Sequence, residues 1–545
     1  MATSSTQTCW KFLLSRVWFS LGRHEEPHYV NQRALANKCF KVPFQGTAHQ
    51  ELHNQLVKHC CTMASDVHYS PYCTLVQSSG MGKSRALMEL SELDVYVCYC
   101  SLASHTATAF PPRTGGLADK LASTFTEHGM VFYLKAWLSI LADCISTTSP
   151  EAWKQYQLPD EHGFPKGDLA EQILKEWMKS DLDDTYKGED IDKWSKASCS
   201  EVIKSIEKAL QKKCRQCSPD EKTECKHTPC SVIFAFDEAR GLQIKEPNSQ
   251  SMTLSPFYQI RRALRMLFDH LTFIAVMLDT SAKVTNLSPS KRNEDSARAK
   301  AMGFQLAPPI YFLPNMSLLK ETASHGVPDC FQPQHWLKQG RPMWSARLEM
   351  GDTPSSVRLF ALQKLVRIVA GPFDDKNLAV NVRSGVMTES QAMALLSASA
   401  GLSICARSEL AETMSALHMN LILRVSKDRS RIYIGFPAEP ILAEAAASVL
   451  QNDVVQEGAL KHLLAACMEG YVTPGPRGEF VAKFILVAAM WDNKSEWLLR
   501  QIPVEEYLQK LLVDGAADQV IFNRAFNCFK AKCPEGGAFS SIHSC

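Results

Sequence analysis

The segment from Gln77 to Ser84 has the residue types of a phosphate-binding loop. Gly82, Lys83 and Ser84 match the end of the pattern G-x-x-x-x-G-K-[ST], which joins a strand to a helix. In such a loop, glycines let backbone N–H groups face the phosphates, lysine reaches the outer phosphates and the hydroxyl holds Mg²⁺. Gln77 stands where the pattern has its first glycine, so a residue with a side chain must make this turn. The predicted nucleotide-binding residues are Ser79, Gly80, Met81, Gly82, Lys83, Ser84 and Arg85.

A pair of acids follows an apolar run downstream of this loop. The run Ser231–Phe236 predicts a buried strand, and Asp237 and Glu238 come directly after it. Such an Asp completes a Mg²⁺ site, and an adjacent Glu can polarise the attacking water. Ser84 and Asp237 are therefore the predicted magnesium ligands, and Lys83 and Glu238 the predicted catalytic residues. The alternatives are a chance Gly-Lys-Ser in a turn and a strand that ends in a solvated acidic pair.

A third apolar run supplies a further polar group. Leu271–Leu278 predicts a buried strand, and Thr280 and Ser281 follow its end. Ligands of open α/β sheets gather at the carboxyl ends of the strands. Either Thr280 or Ser281 is therefore predicted to contact the outermost phosphate or the water.

The elements that must position these groups alternate between strands and helices. This alternation predicts a three-layer α/β P-loop NTPase with a mainly parallel sheet, followed by a mostly helical, winged-helix-like C-terminal region. Strands are predicted at 72–76, 95–102, 231–236 and 271–278, and the winged-helix order at 388–401, 408–419, 421–425 and 431–436. The predicted parts are a lead-in at 1–45, the NTPase domain at 46–320 with a charged surface insertion at 150–230, a helical lid at 321–450 and a helical C-terminal region at 451–545.

Several blocks together resemble a known family. They are QSSGMGKSR, VYVCYCSL, FPPRTGGLADKL, VIFAFDEA, GRPMW and RIYIGFPAEPILAEAAA. Over about residues 45–450 these blocks resemble P-loop proteins of fungi and oomycetes related to Crinkler effectors, which are similar to STAND and AAA-like ATPases. The resemblance implies that Gly340, Arg341 and Pro342 form a G-x-P motif near adenine, and that Arg341 or Arg347 senses the nucleotide. A simple helix-initiating turn is the alternative for these three residues.

Relatives of this kind often carry a C-terminal nuclease domain. Residues 475–486 resemble the helix that opens it, with Glu479 as the recognisable acid. No later Asp is followed by an E-x-K strand motif, and a metal-dependent nuclease needs several carboxylates. We therefore expect no nuclease activity and interpret this region as a truncated or degenerate copy of such a domain.

Clustered cysteines suggest a possible metal site. Two pairs of soft ligands lie in a Lys-rich stretch and could bind Zn²⁺: Cys214, Cys217, Cys225 and Cys230. The alternative is chance, because the chain has 19 cysteines.

Composition excludes some classes of function. The formal net charge of +2 gives no support to a nucleic-acid surface, and no apolar run is long enough to span a bilayer. The scattered cysteines predict an intracellular protein, cytoplasmic or nuclear. The first 24 residues contain no acid, which suits either a mitochondrial presequence or a docked helix; a secretory signal is not expected.

The leading functional hypothesis is a nucleotide switch that binds ATP and Mg²⁺ and hydrolyses ATP. The alternatives are a non-catalytic nucleotide-binding scaffold, for which Gln77 would be a symptom of decay, and a degenerate effector that interacts with nucleic acid or host proteins. Assembly into a homo-oligomer is a further option, with an arginine finger from Arg261, Arg262 or Arg265. A solvated basic face is the other interpretation of these three arginines.

Overall fold

A computed structural model gives the fold of the chain. It describes residues 27–158, 168–183, 190–216, 229–243, 255–280, 304–315, 336–367, 387–490 and 507, apart from residues 106, 108–109, 271, 337, 407, 437–438 and 473. The first 24 residues, where a presequence or a docked helix was predicted, lie outside this set. No helix in the described part of the chain is long and apolar enough to cross a bilayer.

A four-stranded parallel sheet forms the centre of the first module. Its strands are β1 (Tyr72–Val76), β2 (Tyr96–Ser101), β3 (Val232–Asp237) and β4 (Phe273–Asp279). Their order across the sheet is β1-β4-β3-β2, and every residue in them is buried, as expected for strands covered on both faces. All four predicted strands are therefore confirmed, and the α/β class with them.

The strand register brings the predicted chemistry to one edge of the sheet. Val76 is paired with Asp279, and Ser101 with Asp237. Because the strands are parallel, the residues that follow them leave from the same edge. The loop after β1 and the acids after β3 and β4 are therefore neighbours in space.

Helices cover both faces of this sheet and make three layers. The helices of the first module are α1 (Pro27–Lys41), α2 (Ala48–Thr62), α3 (Lys83–Met88), α4 (Gly115–Ala122), α5 (Glu127–Cys144), α6 (Pro150–Gln157), α7 (Asp168–Asp183), α8 (Ile191–Gln216) and α9 (Pro256–Ala263). On one face, α2 and α3 pack against alternate strand residues such as Leu75 and Val276. On the other face, α4 to α9 pack against residues such as Phe234 and Phe236.

The stretch predicted as a surface insertion contributes to the core. Helices α7 and α8 pack on α5, and Trp177, Ile203 and Ile206 are buried there. Their charged residues occupy the outward faces, which made the segment look solvated in the sequence. The prediction of a mere surface insertion was wrong for the described residues of 150–230.

The three arginines of α9 and the turn after it are used inside the first module. Arg261 is fully buried, and its guanidinium stacks on Tyr69 at 4.7 Å and on neighbouring aromatic rings. Arg265 pairs with Glu127 at 3.4 Å and also with Asp192. The prediction of a solvated basic face was wrong at these two positions, and their internal partners leave little support for an arginine finger.

The second module is a helical bundle with one hairpin. It contains α10 (Pro342–Glu349), α11 (Pro354–Val366), α12 (Glu389–Ala400), α13 (Glu409–Leu417), β5 (Leu421–Val425), β6 (Ile432–Gly435), α14 (Pro440–Leu450), α15 (Asp453–Met468) and α16 (Pro474–Ala488). Thr388 forms a capping box at the start of α12, and Gly401 ends that helix in a left-handed conformation. The predicted order of helix, helix and hairpin is confirmed.

The hairpin packs on the first module. Ile422, Val425 and Ile432 form an apolar cluster with Val76 at the end of β1. Arg429, in the turn of the hairpin, donates to the carbonyl oxygens of residues 306 and 307 at 2.5 and 3.2 Å. The hairpin is therefore part of the contact between the two modules.

Candidate functional site

The phosphate-binding loop has the backbone shape that its glycines allow. Gly80 and Gly82 have φ angles of 80° and 75°, in the left-handed region. A Cβ on Gly80 would lie 2.8 Å from Cε of Met343, and one on Gly82 would lie 3.1 Å from Nδ2 of Asn315. The left-handed conformation favours glycine at both positions, and any added side chain would also have to displace Met343 or Asn315.

Gln77 makes the turn into this loop with a negative φ, which is an ordinary backbone conformation for a residue with a side chain. Its side-chain amide donates to the carbonyl oxygens of Tyr311 at 2.7 Å and Ile422 at 3.0 Å. Its Oε1 accepts from the N–H groups of Ser78 and Ile422, both at 2.9 Å. The first glycine of the pattern is therefore replaced by a residue that binds the loop to β5.

Lys83 begins α3 and is buried inside the loop. Its ammonium donates to the carbonyl oxygens of Gln77 at 2.6 Å and Ser78 at 3.3 Å. Burial lowers the pKa of Lys83, while the nearby carboxylates of Asp237 and Glu238 act in the opposite direction. The amine is thus held at the centre of the loop by neutral acceptors that an anion could displace.

The side chains of Ser84 and Asp237 are in contact, although Ser84 lies at the start of α3 and Asp237 ends β3. Ser84 Oγ donates to Asp237 Oδ2 at 2.5 Å, and the hydroxyl of Tyr99 donates to the same oxygen. Burial and the adjacent carboxylate raise the pKa of Tyr99 well above its usual value, so this hydroxyl stays protonated. A hydroxyl and a carboxylate oxygen side by side are ligands of the type that Mg²⁺ prefers.

Glu238 is an unusual residue in both backbone and charge. Its φ of 53° is in the left-handed region, a conformation that costs energy for a residue with a side chain and often occurs at functional sites. Burial raises the pKa of Glu238 to about 7, although its ion-pair partner Arg240 opposes the shift. The carboxylate is therefore poised to take up or release a proton near neutral pH.

The end of β4 supplies one more acid and one hydroxyl. Asp279 is buried and accepts from the backbone N–H of Arg240 at 3.0 Å. Thr280 lines the cavity described below. Ser281, the other candidate at this position, lies outside the described residues.

One cavity of about 280 Å³ joins these groups. Six of the seven residues predicted from the loop line it, together with Asp237, Glu238 and Thr280: Ser79, Gly80, Gly82, Lys83, Ser84 and Arg85. Met81 instead accepts a hydrogen bond from Asn315 Nδ2 through its carbonyl oxygen at 2.7 Å, which fixes the loop from behind. The geometry brings the predicted loop residues and acids to one place.

The far side of the same cavity is mainly aromatic and aliphatic. Its lining there comes from α1 and the segment after it, from the turn before α4 and from α10 and α11: Phe40, Val42, Pro43, Phe44, Phe110, Pro111, Met343 and Phe360. The guanidinium of Arg85 lies 4.9 Å from the centre of the Phe40 ring. The cavity therefore has a polar half of phosphate-binding type and an aromatic half suited to a flat ring.

Gly340, Arg341 and Pro342 connect the loop to the second module. Arg341 is fully buried; it donates to both oxygens of Glu439, to the carbonyl of Ser79 at 2.6 Å and to that of Met419 at 2.7 Å. Gly340 lets this pair form, because a Cβ there would lie 2.5 Å from Cγ of Glu439. Pro342 begins α10 and lines the cavity. Arg341 contacts the loop backbone and not the cavity, so direct nucleotide contact by this residue is not supported by its partners.

The second module also presents cations to the cavity. Arg347 and Lys364 both line it, and the Arg347 guanidinium stacks on Phe360 at 3.8 Å while pairing with Asp352. Burial, with Arg347 and Arg367 nearby, lowers the pKa of Lys364 to about 8, and Glu238 opposes this shift. An anion in the cavity would be favoured by this set of positive charges.

The zinc prediction falls mostly outside what the structure describes. Cys217 and Cys225 lie in the segment 217–228, and the side chain of Cys214 is likewise not described. Cys230 is fully buried, and burial together with a hydrogen bond to Cys60 raises its pKa well above the usual value. A thiol in this state is a core group; in the described part of the chain no three His, Cys, Asp or Glu side chains are grouped to hold a metal.

Two family descriptions match the chain. A family described as "Domain of unknown function (DUF8735)" matches residues 48–313, and one described as "Domain of unknown function (DUF8736)" matches residues 383–524. No curated protein and no solved structure matches the chain. The first match contains the loop and the strand-end acids, and the second contains Ile422 and Glu439.

Sequence reasoning missed the groups that reach the site from a distance. Tyr99, Asn315, Lys364 and the aromatic residues Phe40 and Phe44 were not predicted to be there. Tyr99 lies in a strand whose residues are all buried, so nothing in the pattern distinguished it from core. Lys364 has no local motif, and only the packing of α11 on the cavity gives it a role.

Proposed function

We propose that the protein binds a nucleoside triphosphate with Mg²⁺ in this cavity and hydrolyses it slowly, as a nucleotide-controlled switch related to Crinkler-like and AAA-like P-loop ATPases. The observation that carries the proposal is the contact of Ser84 Oγ with Asp237 Oδ2 at 2.5 Å beside the Lys83 loop. These groups lie far apart in the sequence, and a P-loop NTPase needs them together.

The residues present fit a magnesium ion. Ser84 and Asp237 would hold it, and Mg²⁺ commonly has only one or two protein ligands because phosphates and water complete its shell. When bound, Mg²⁺ neutralises charge on the outer phosphates. The hydroxyl of Tyr99 donates to the same oxygen of Asp237 as Ser84 does and would help to orient the carboxylate.

The rest of the chemistry is assigned to side chains of the chain itself. Lys83 exchanges its carbonyl partners for phosphate oxygens, and Lys364 adds a second positive charge from α11. Glu238, as a carboxylate, orients a water and accepts its proton at a carboxylate oxygen. The aromatic half of the cavity around Phe40 and Phe44 receives the base, which we take to be adenine.

The test compares ATP binding and phosphate release in three proteins. Lys83→Ala should weaken ATP binding by about 10- to 100-fold, since it removes charge-assisted hydrogen bonds. Glu238→Gln should keep binding and lower hydrolysis by about 10²- to 10⁴-fold, the usual contribution of a general base. The wild-type rate should rise with pH through about 7, because the base is active only when deprotonated.

Controls make this test specific. Lys461→Ala removes an exposed lysine of α15 and should change neither ATP binding nor phosphate release. Repeating the binding measurement with GTP in place of ATP shows whether the site distinguishes adenine from guanine. Failure of the wild-type protein to bind any nucleoside triphosphate would refute the proposal.

A second candidate is a scaffold that binds nucleotide without hydrolysing it. The observation in its favour is that Glu238 is already paired with Arg240, which would have to move before the carboxylate could serve water. Binding without phosphate release in the wild type, at any pH from 6 to about 8, would favour this scaffold. The nucleic-acid alternative has less support, because the hairpin that would act as a wing packs on the first module through Ile422 and Arg429.

A further inference from the structure

The side chain of Gln77 forms a buried junction between two modules. All its amide atoms are used: the nitrogen donates to Tyr311 and Ile422, and the oxygen accepts from Ser78 and Ile422. The two bonds to Ile422 engage both the N–H and the carbonyl of one residue, as a neighbouring strand would. The side chain of Gln77 therefore links the end of β1 to the backbone of β5 in the way that a paired strand would.

Arg341 reinforces this junction at the next residues along the loop. It donates to Ser78 Oγ at 3.1 Å and to the Ser79 carbonyl at 2.6 Å on one side. On the other side it donates to the carbonyl of Met419, two residues before β5. The start of the phosphate loop and the start of the hairpin are thus held to each other twice.

The same glutamine also contacts the group that would bind phosphate. Lys83 Nζ donates to the backbone carbonyl of Gln77 at 2.6 Å. A phosphate oxygen is a stronger acceptor for an ammonium group than a neutral carbonyl. Nucleotide binding would therefore remove a hydrogen bond from the backbone of Gln77 while its side chain remains bonded to Ile422.

We infer that Gln77 couples occupancy of the nucleotide site to the hairpin β5–β6, so that the second module controls nucleotide release. The inference rests on the nucleotide site proposed above. A glycine at this position could not make the link, because it has no side chain. Coupling of this kind is reciprocal in affinity: a nucleotide that stabilises the hairpin is itself bound more tightly when the hairpin is held in place.

Gln77→Met tests the inference, because it keeps the approximate size of the side chain and removes its four hydrogen bonds. Two quantities are measured in the full-length protein: amide hydrogen exchange of residues 419–425 with and without Mg·ATP, and the rate of nucleotide dissociation. In the wild type, Mg·ATP should slow exchange in this segment. In Gln77→Met that response should disappear, and dissociation should become about tenfold faster, within the usual range of coupling effects.

Two further variants keep the test decisive. Gln259→Met alters another buried glutamine, which donates to the carbonyl of Phe125 at 2.8 Å, and should behave as wild type in both measurements. Gln77→Gly removes the same four hydrogen bonds and restores the first glycine of the loop pattern, so it should lose the response as Gln77→Met does. It replaces Gln77→Met if that variant does not fold.

The outcomes separate the two claims. If the wild type binds no nucleotide, the proposed function fails and this inference with it. If the wild type binds and Gln77→Met shows the same exchange response and the same dissociation rate, only the inference is overturned.

Discussion

The two walls of the cavity are built in different ways. The wall from the parallel sheet carries the hydroxyl and acids Ser84, Asp237 and Glu238, which leave the sheet at one edge. The wall from the second module carries the cations Arg347 and Lys364. The sheet wall thus has the groups for metal and water chemistry, and the helical wall has groups that respond to negative charge.

The difference extends to how each wall is held in place. In the sheet wall, strand pairing places the groups: Asp237 ends β3, Glu238 follows it, and Ser84 lies at the start of the helix after the β1 loop. The second module is held by side chains that pair over long sequence separations, including Arg341 with Glu439 and Gln77 with Ile422. Under the proposed function, the first module supplies the groups for chemistry and the junction with the second module supplies control.

The largest expected effect comes from breaking the junction at Glu439. This carboxylate and Arg341 are both fully buried, and Trp344 Nε1 also donates to Glu439 at 2.7 Å. Glu439→Ala leaves a buried guanidinium without its carboxylate, so we expect a loss of about 3–5 kcal/mol in the free energy of unfolding. Thermal and urea unfolding measure it.

A matched variant gives the baseline for that loss. Glu457→Ala removes an exposed partner of Lys461 on α15, and loss of a solvent-screened surface pair of this kind should leave the unfolding midpoint almost unchanged. Equal unfolding midpoints for Glu439→Ala and Glu457→Ala would contradict the view that the second wall depends on this buried pair.

A smaller effect would sharpen the contrast between the walls. Lys364→Met keeps the length of the side chain and removes a positive charge facing the cavity. We expect it to weaken ATP binding by about tenfold and ADP binding much less, since the charge acts on the outermost phosphate. Competition titrations with the two nucleotides measure the ratio. An unchanged ratio of ATP to ADP affinity would place Lys364 away from the phosphates.

Much of the first module was predictable, because its signals are local. The strands are contiguous apolar runs; the loop follows β1, and Asp237 ends β3 directly after Phe236. Helices α7 and α8 were misjudged because charged residues on their outer faces outnumber the few buried ones, such as Trp177. In such helices, the average composition is dominated by the exposed face, so it does not reveal the few residues that pack in the core.

The second wall was predictable only in part. The blocks around Arg341 and Glu439 were both recognised, yet nothing in either block states that the two residues pair across 98 positions. Gln77 was noted as a departure from the motif, and its partner Ile422 is 345 positions away. Such pairs depend on how the modules pack, which periodicity does not encode.

The most direct test of the central claim is the magnesium dependence of ATP binding by calorimetric titration. Wild type is compared with Ser84→Ala, Asp237→Asn and the double variant. Our account predicts that Mg²⁺ strengthens ATP binding in the wild type, that each single variant loses this gain, and that the double variant loses little more, because the two residues act on one ion. ATP binding that is absent, or that is indifferent to Mg²⁺ in the wild type, would contradict the account.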